Sequence, residues 1–462
     1  MRSRFDLSKY GGLESPLRRR RFLERSPRQS QARHFPGISK TPLKSLQGGT
    51  AWCGNRRLHH GPTLGRPSRR SNFPTPRDGR LACDRSLPSP SELSSYPLQR
   101  GGASRGLLGK PSDSSSLSHS DCKMLDLVFF GGHVRRFGPE WLDQRLKFRP
   151  ITSSTPYGLI QYMPGPGGAV AALQAWILKE LLWGSDLRRG NKIQNLQVDK
   201  SRRRAALQSV IKELIERASG VYPGESEGAY KYVLGKVSAS VAGPGAFAKL
   251  KVYTLDATNI DAFLRKQYEK IKDGGITNLL VSLVLSRGPE NILEDLAVPG
   301  ASLLVRTDLC LTDTQAAVNL ILMGRAVNGV FNEGTGLQAE TKGIHTRSLC
   351  GYLTYMEEEM PDQNTVGSYL KDPAFPVWVA RTSGYYLVLF CTNRGEENQS
   401  TNSFRLHYYH PSALQESEAA ALYIVDPTVD ASMETRRLDS IHACTRTRWP
   451  RAAVRVVTDY LT

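Results

Sequence analysis

With 462 residues, 39% of them hydrophobic, this chain is long enough to bury one large core or two ordinary ones. Its longest apolar stretch, around residues 279–285, is far shorter than the roughly 20 residues that a membrane-spanning helix requires, and no apolar signal segment follows the charged N-terminus. The sequence therefore predicts no membrane contact, and the formal net charge of +19 indicates an anionic partner only if that charge lies on the folded part.

Residues 1–122 hold much of the excess positive charge. They contain 23 Lys and Arg against 8 Asp and Glu, are rich in Pro, Ser, Gly and Arg, and show no sustained apolar period. Because such a segment cannot bury enough surface to offset its ordering entropy, residues 1–122 are predicted to form a disordered tail and residues 123–462 the folded domain. The cluster Arg18, Arg19, Arg20 and Arg21 is either a solvated run, a nuclear-import signal or a weak contact for a polyanion.

The cysteines indicate a reducing compartment. There are seven, an odd number, and none forms a CxxC pair. This pattern predicts free thiols in an intracellular protein, cytoplasmic or nuclear, with neither a disulfide framework nor a structural metal. No nucleotide cofactor is expected either, because Gly235-Lys236 lacks the upstream glycine of a phosphate loop and is followed by Val237.

The first half of the folded part predicts alternating helices and strands. Apolar residues recur at helical spacing over 207–218, where Ser201 can cap the start of a helix and Gly220 can close its end. A second helix over 260–271, ending at Gly274-Gly275, is predicted between strand-like runs at 250–253 and 279–285.

The C-terminal third predicts an antiparallel sheet. Val377–Ala380 and Tyr386–Phe390 flank a short turn as a hairpin, and Phe404–Tyr409 and Leu422–Val425 add two further strands.

A Pro- and Gly-rich loop, TPYGLIQYMPGPGG at 155–168, leads directly into the apolar helix AVAALQAWIL. Such a junction directs unpaired backbone N–H groups and the positive end of the helix dipole at the first helical positions, which favours an anion there. Cysteine proteases use this geometry to lower the pKa of their thiol. On composition alone, however, the segment is typical of a turn before a core helix.

This loop resembles the catalytic loop of the MINDY family of deubiquitinases, in its longer-chain branch, where the pattern is roughly TPYGLxQxxGGPCGxLAAxQ. The similarity continues at five further places along the folded part: 127–131, 324–327, 351–353, 366–379 and 447–450. The resemblance implies an α+β, papain-like cysteine-protease-related fold in which a central buried helix packs on a mainly antiparallel sheet. In an ungapped register, Gln161 falls on the family's oxyanion-stabilising glutamine, Gly167 replaces the nucleophilic cysteine and Tyr385 replaces the histidine.

The two replaced groups act together in the family, since the thiolate attacks the isopeptide carbonyl and the imidazole transfers protons. Gly167 has no side chain, and a tyrosine with a pKa of about 10 is a poor base at neutral pH. The resemblance therefore predicts a protein that is not an enzyme, an inactive ubiquitin carboxyl-terminal hydrolase that retains binding of ubiquitin or polyubiquitin.

Two other functions stay open. One is residual cysteine-type deubiquitinase activity towards proteasome-directing polyubiquitin linkages, and the other is a scaffold that acts through the basic tail. Cys391, six residues after Tyr385, is a candidate replacement nucleophile, although a free buried thiol is the favoured interpretation of this residue.

Overall fold

A computed structural model describes residues 114–184, 196–220, 230–334, 341–360, 365–414, 416–430 and 440–457. The cluster Arg18 to Arg21 and most of the predicted tail lie outside these residues, so a polyanion contact stays a prediction. The first helix begins at His119, ahead of the boundary predicted at residues 122 and 123, with Ser118 as its N-cap. No helix in the described ranges is long and apolar enough to cross a membrane.

The described residues form twelve α-helices and eleven β-strands. The helices are α1 His119–Phe130, α2 Pro139–Leu142, α3 Gly167–Trp183, α4 Lys200–Ser219, α5 Ile260–Lys266, α6 Tyr268–Arg287, α7 Pro289–Leu296, α8 Gln315–Met323, α9 Met356–Glu359, α10 Ser368–Lys371, α11 Glu416–Ala419 and α12 Ser440–Arg448. The strands are β1 Ser115–Ser116, β2 Tyr230–Leu234, β3 Lys251–Leu255, β4 Leu304–Arg306, β5 Leu311–Asp313, β6 Gly351–Thr354, β7 Val377–Arg381, β8 Tyr386–Phe390, β9 Phe404–Tyr409, β10 Ala420–Asp430 and β11 Ala452–Val457.

The main sheet has six strands in the order β11-β10-β9-β8-β7-β6, and all its pairs are antiparallel except β6 with β7. The predicted hairpin and the two later strands are therefore confirmed. Two smaller sheets, β1-β3-β2 and β4-β5, complete an α+β architecture, as predicted.

Helix α3 is the centre of the core and packs against α4, α8, β7 and β8. Fifteen of its 17 residues are buried, which explains why its sequence is apolar on every side. Trp176 is fully buried, and its indole N–H donates to the carbonyl of Ile321 at 3.0 Å. The central buried helix on a mainly antiparallel sheet is confirmed.

The predicted strand at 279–285 is wrong, because these residues form the second half of α6. The helix is kinked at Gly275, whose φ of 67° is in the left-handed region, so the predicted stop at Gly274-Gly275 is a bend rather than an end. The segment packs against β2, α4 and α8 and is buried throughout, and a short apolar run of this kind does not distinguish a strand from a buried helix.

Helix α4 confirms the amphipathic helix, with Gly220 as its C-cap, but its N-cap is Asp199 rather than Ser201. The Asp199 side chain accepts a hydrogen bond from the backbone N–H of Arg202 at 2.7 Å. We expect Asp199→Ala to lower the free energy of unfolding by about 1 kcal/mol in urea titrations, because a helix N–H loses its partner. In the matched control Ser201→Ala the change should stay within about 0.5 kcal/mol, and an equal loss in both variants would contradict this cap.

Candidate functional site

The loop before α3 is fixed by buried side chains of distant elements. Gln174, in the middle of α3, accepts a hydrogen bond from the N–H of Leu159 at 2.6 Å. The hydroxyl of Tyr409 donates to the carbonyl of Leu159 at 2.8 Å. The ring of Tyr409 lies so close to Gly158 that a Cβ there would be 2.1 Å from it, so only glycine fits. The loop therefore enters α3 in one conformation.

Strand β5 holds the last turn of the loop. The carbonyl of Gly165 accepts hydrogen bonds from the N–H of Asp313 at 3.2 Å and from the hydroxyl of Thr312 at 3.0 Å. Gly165 has a φ of 128°, a conformation that favours glycine.

The carboxylate of Asp313 caps the N-terminus of α3. Its Oδ2 accepts a hydrogen bond from the N–H of Ala169 at 2.7 Å, and the N–H of Gly168 also hydrogen-bonds to this carboxyl. Burial nevertheless raises the pKa of Asp313 from 3.8 to about 7, against the lowering effect of these N–H groups and of Arg381. An acidic group thus occupies the positive end of the helix dipole.

Gln161 and Gly167 lie side by side, and their roles in the family's site stay predictions. A Cβ built at Gly167 would lie 3.5 Å from both Nε2 and Oε1 of Gln161, which is ordinary van der Waals contact. The Gln161 amide is oriented by donating to the carbonyl of Met163 at 2.8 Å, while its backbone N–H donates to the carbonyl of Pro411 at 3.0 Å. A side chain at position 167 would therefore fit and face an oriented amide.

The ring beside Gly167 belongs to Tyr386, not to Tyr385. A Cβ at Gly167 would lie 3.4 Å from Cδ2 of Tyr386. Tyr385 is instead 36% exposed and stacks on His410, with 4.2 Å between ring centroids. Successive side chains of a strand point to opposite faces, so an ungapped register that is one residue off selects the wrong face. The structure does not bring Tyr385 to Gly167, and the residue that aligns with the family's histidine stays a prediction.

Sequence reasoning missed two groups at this site, Asp313 and Tyr386, and one behind it, His410. Asp313 is 144 residues from its partner Ala169, so no local pattern could have paired them. His410 adjoins Pro411, which binds the Gln161 backbone, and burial lowers its pKa to about 4. The adjacent tyrosines Tyr385 and Tyr386 were the one indication in the sequence. Successive side chains of a strand point to opposite faces, so one of the two rings must face the core.

Comparison with known proteins identifies the family. The family model described as "Deubiquitinating enzyme MINDY-3/4, conserved domain" matches residues 126–457. The chain belongs to this family. It is 30% identical over 361 residues to "Probable ubiquitin carboxyl-terminal hydrolase MINDY-4" of Mus musculus, which covers 74% of this chain and 46% of the relative. It is 26% identical over 270 residues to "Ubiquitin carboxyl-terminal hydrolase MINDY-3" of Homo sapiens, covering 52% and 58% respectively.

The chain therefore spans about half the length of the MINDY-4 relatives that it matches. No solved structure gives a significant match. The helices and the mainly antiparallel sheet are consistent with the papain-like cysteine-protease-related fold that the resemblance implied.

The prediction that this chain is not an enzyme is contradicted. Both the family model and the matched relatives carry names of deubiquitinating hydrolases, so the chain falls in an enzyme family. The prediction rested on the residue types at positions 167 and 385 alone. A family match over most of the folded part is broader evidence for the class of protein than the residues at two aligned positions.

The described cysteines differ in access to solvent. Cys391 is buried in a second core cluster with Trp378 and Cys444, separate from the core around α3, and burial raises its pKa well above 9.0. Cys310, in the turn between β4 and β5, is half-buried and is the only one of the five described cysteines that is not buried. Burial also raises the pKa of Cys310, so its thiol is protonated at neutral pH.

Metal binding has no support in the described parts of the chain. No group of three or more His, Cys, Asp or Glu side chains there is placed to hold an ion.

Proposed function

We propose that this chain acts on ubiquitin conjugates and holds the C-terminal tail of ubiquitin against the loop 161–167. The observation that carries the proposal is the contact between Gln161 and position 167 at the N-terminus of α3. An oriented amide and a helix N-terminus that converge on one point are typical of a site that binds a carbonyl oxygen. The names of the relatives support ubiquitin as the ligand class.

The loop also offers an apolar surface to a partner. Tyr162 and Met163 are 42% and 41% exposed, although the backbone on both sides of them is hydrogen-bonded to the core. Tyrosine and methionine are enriched in protein interfaces, and a loop that is already ordered loses little entropy on binding. We define Tyr162 and Met163 as the loop surface.

Titration of the full chain with mono- and polyubiquitin tests the proposal. We expect saturable binding that Met163→Asp weakens by roughly 10-fold or more, because a carboxylate would be buried without a partner in the interface. Val241→Asp is the matched control, since Val241 is 43% exposed and lies between β2 and β3, outside the loop surface. No saturable binding at near-millimolar ubiquitin would exclude the proposal.

A second candidate function is hydrolysis of polyubiquitin, including proteasome-directing linkages, and the hydrolase names of the relatives favour it. Because position 167 carries no thiol, the nucleophile would be another cysteine, and Cys310 is the most accessible of those described. Incubation of the full chain with defined polyubiquitin chains would detect cleavage. Loss of cleavage in Cys310→Ser, with retention in the buried control Cys391→Ser, would assign the nucleophile; no cleavage by the wild-type chain would exclude this function.

A further inference from the structure

A cavity of about 130 Å³ lies on the edge of the main sheet next to the candidate site. Its lining includes Arg381 of β7, Tyr352 and Thr354 of β6, and residues of the segment after α8. Thr354 and Arg381 are paired across β6 and β7, and Arg381 and Tyr386 are paired across β7 and β8. One row of side chains therefore leads from this cavity to the ring that lies against Gly167.

Arg381 is the only charged side chain that lines the cavity, judged on the described residues. No salt bridge joins its guanidinium to any described carboxylate. Its side chain hydrogen-bonds to the Tyr352 hydroxyl, and its guanidinium carbon lies 5.9 Å from the centroid of the Tyr386 ring. A partly buried cation without an acidic partner is unfavourable unless an anion or water compensates it. A guanidinium has five N–H donors, so the bond to Tyr352 leaves others for a ligand in the cavity that Arg381 lines.

Two acids in this region have other partners. Asp313, which Arg381 influences through space, accepts hydrogen bonds from the start of α3. Glu357, next to the lining residue Met356, pairs with Lys371 at 2.5 Å.

Two hydroxyl groups lie beside the guanidinium. The Tyr352 hydroxyl hydrogen-bonds to Arg381 and to the Thr354 hydroxyl, which also accepts a hydrogen bond from the N–H of Met356 at 3.3 Å. The amide groups in the lining are already used, since Gln315 donates to Asn319 and Asn328 donates to the carbonyl of Leu296. A guanidinium beside two hydroxyls, with no carboxylate among the described lining residues, is an arrangement that suits an oxyanion.

We propose that this cavity binds a small oxyanion, a phosphate or a carboxylate group, on the guanidinium of Arg381. Its volume limits the ligand, because an apolar cavity of ~150 Å³ holds a single benzene ring, so a nucleotide does not fit whereas inorganic phosphate or acetate does. We define this volume as the Arg381 cavity. The proposal does not depend on ubiquitin binding.

Isothermal titration calorimetry of the full chain with inorganic phosphate, and separately with acetate, tests the proposal at constant ionic strength with chloride as the reference anion. We expect a saturable 1:1 component that Arg381→Gln weakens by roughly 10-fold or more, as loss of a charged hydrogen-bond donor requires. Arg405→Gln is the matched control, because Arg405 is exposed on β9 and does not line the cavity. Since every variant keeps the basic tail, diffuse anion binding there cancels in the comparison.

A second variant covers the case in which Arg381→Gln does not fold, as judged by circular dichroism. Thr354→Glu places a carboxylate beside Arg381 on the paired strand, so it should occupy the cavity and weaken phosphate binding to a similar degree. Saturable binding of either anion that both cavity variants lose and Arg405→Gln keeps would support the proposal. Absence of a saturable component in the wild-type chain, or an equal loss in Arg405→Gln, would overturn it.

Discussion

The double substitution Gly167→Cys, Tyr386→His is expected to make this chain react covalently with a ubiquitin whose C-terminus carries an electrophile. The Cβ of a residue at 167 has room, and the helix N-terminus beside Gln161 favours the thiolate form of a cysteine there. Histidine at 386 would place an imidazole where the Tyr386 ring now contacts position 167. A positioned base contributes roughly 10²–10⁴-fold to such reactions.

The matched control is Gly167→Cys, Tyr385→His, in which the imidazole would lie on the opposite face of the sheet beside His410. Labelling by the electrophilic ubiquitin, followed by gel shift, should be at least roughly 10²-fold faster in the Tyr386→His combination. Ala257→Cys, an exposed thiol before α5, reports the rate of an unassisted cysteine. Equal rates in the two double variants would contradict the assignment of Tyr386 as the residue facing position 167.

The contribution of Asp313 to the free energy of unfolding is expected to fall as the pH rises from about 4 to about 7. Burial raises the pKa of this carboxyl in the folded state to about 7, against 3.8 in the unfolded chain. Between these values the folded protein binds a proton that the unfolded chain does not, so its contribution is fully present below pH 3.8 and is lost as the pH passes 7. Three pKa units correspond to ~4 kcal/mol as an upper magnitude, since each unit is about 1.4 kcal/mol.

The variant Asp313→Asn isolates this effect, because asparagine keeps an acceptor for the N–H of Ala169 and does not titrate. Urea unfolding at several pH values should show a difference between the wild-type and variant chains that grows between pH 4 and 7 and then levels off. The difference in free energy of unfolding between the two chains cancels the contributions of His407 and His410. Burial lowers the pKa of both histidines to about 4, so their contributions change with pH in the opposite direction. The control Asp308→Asn removes an exposed carboxylate from the same hairpin and should leave the pH dependence of the free energy of unfolding unchanged. Parallel pH profiles for the wild-type and Asp313→Asn chains would contradict the titration of a buried Asp313.

The elements with a local sequence signature were predictable. Helix α4 alternates buried and exposed residues with a helical period and ends at a glycine, and the hairpin of β7 and β8 has a short turn between apolar runs. The segment 279–285 was not predictable in this way. It lies inside the core, so all its side chains are apolar and no period remains to separate helix from strand.

The candidate site likewise has one part that the sequence predicts and one part that it does not. Gln161 and Gly167 lie on one continuous loop, and the resemblance of that contiguous segment assigned both to one candidate site. Tyr386 differs from the predicted Tyr385 by a single position. That position decides which face of the sheet a ring occupies, and only the pairing of β8 with its neighbours defines the face.

The sequence by itself determined the loop that leads into a buried helix, the absence of a thiol at position 167 and the family that the loop resembles, because each is a property of a contiguous segment. The tertiary structure alone decided that Asp313 caps α3, that Tyr386 covers position 167 and that Arg381 faces a cavity. Asp313 lies 144 residues from the residue whose N–H it accepts, whereas Arg381 and Tyr386 face each other across one hairpin. In all three cases the charges and contacts depend on burial and strand register, which no local pattern encodes.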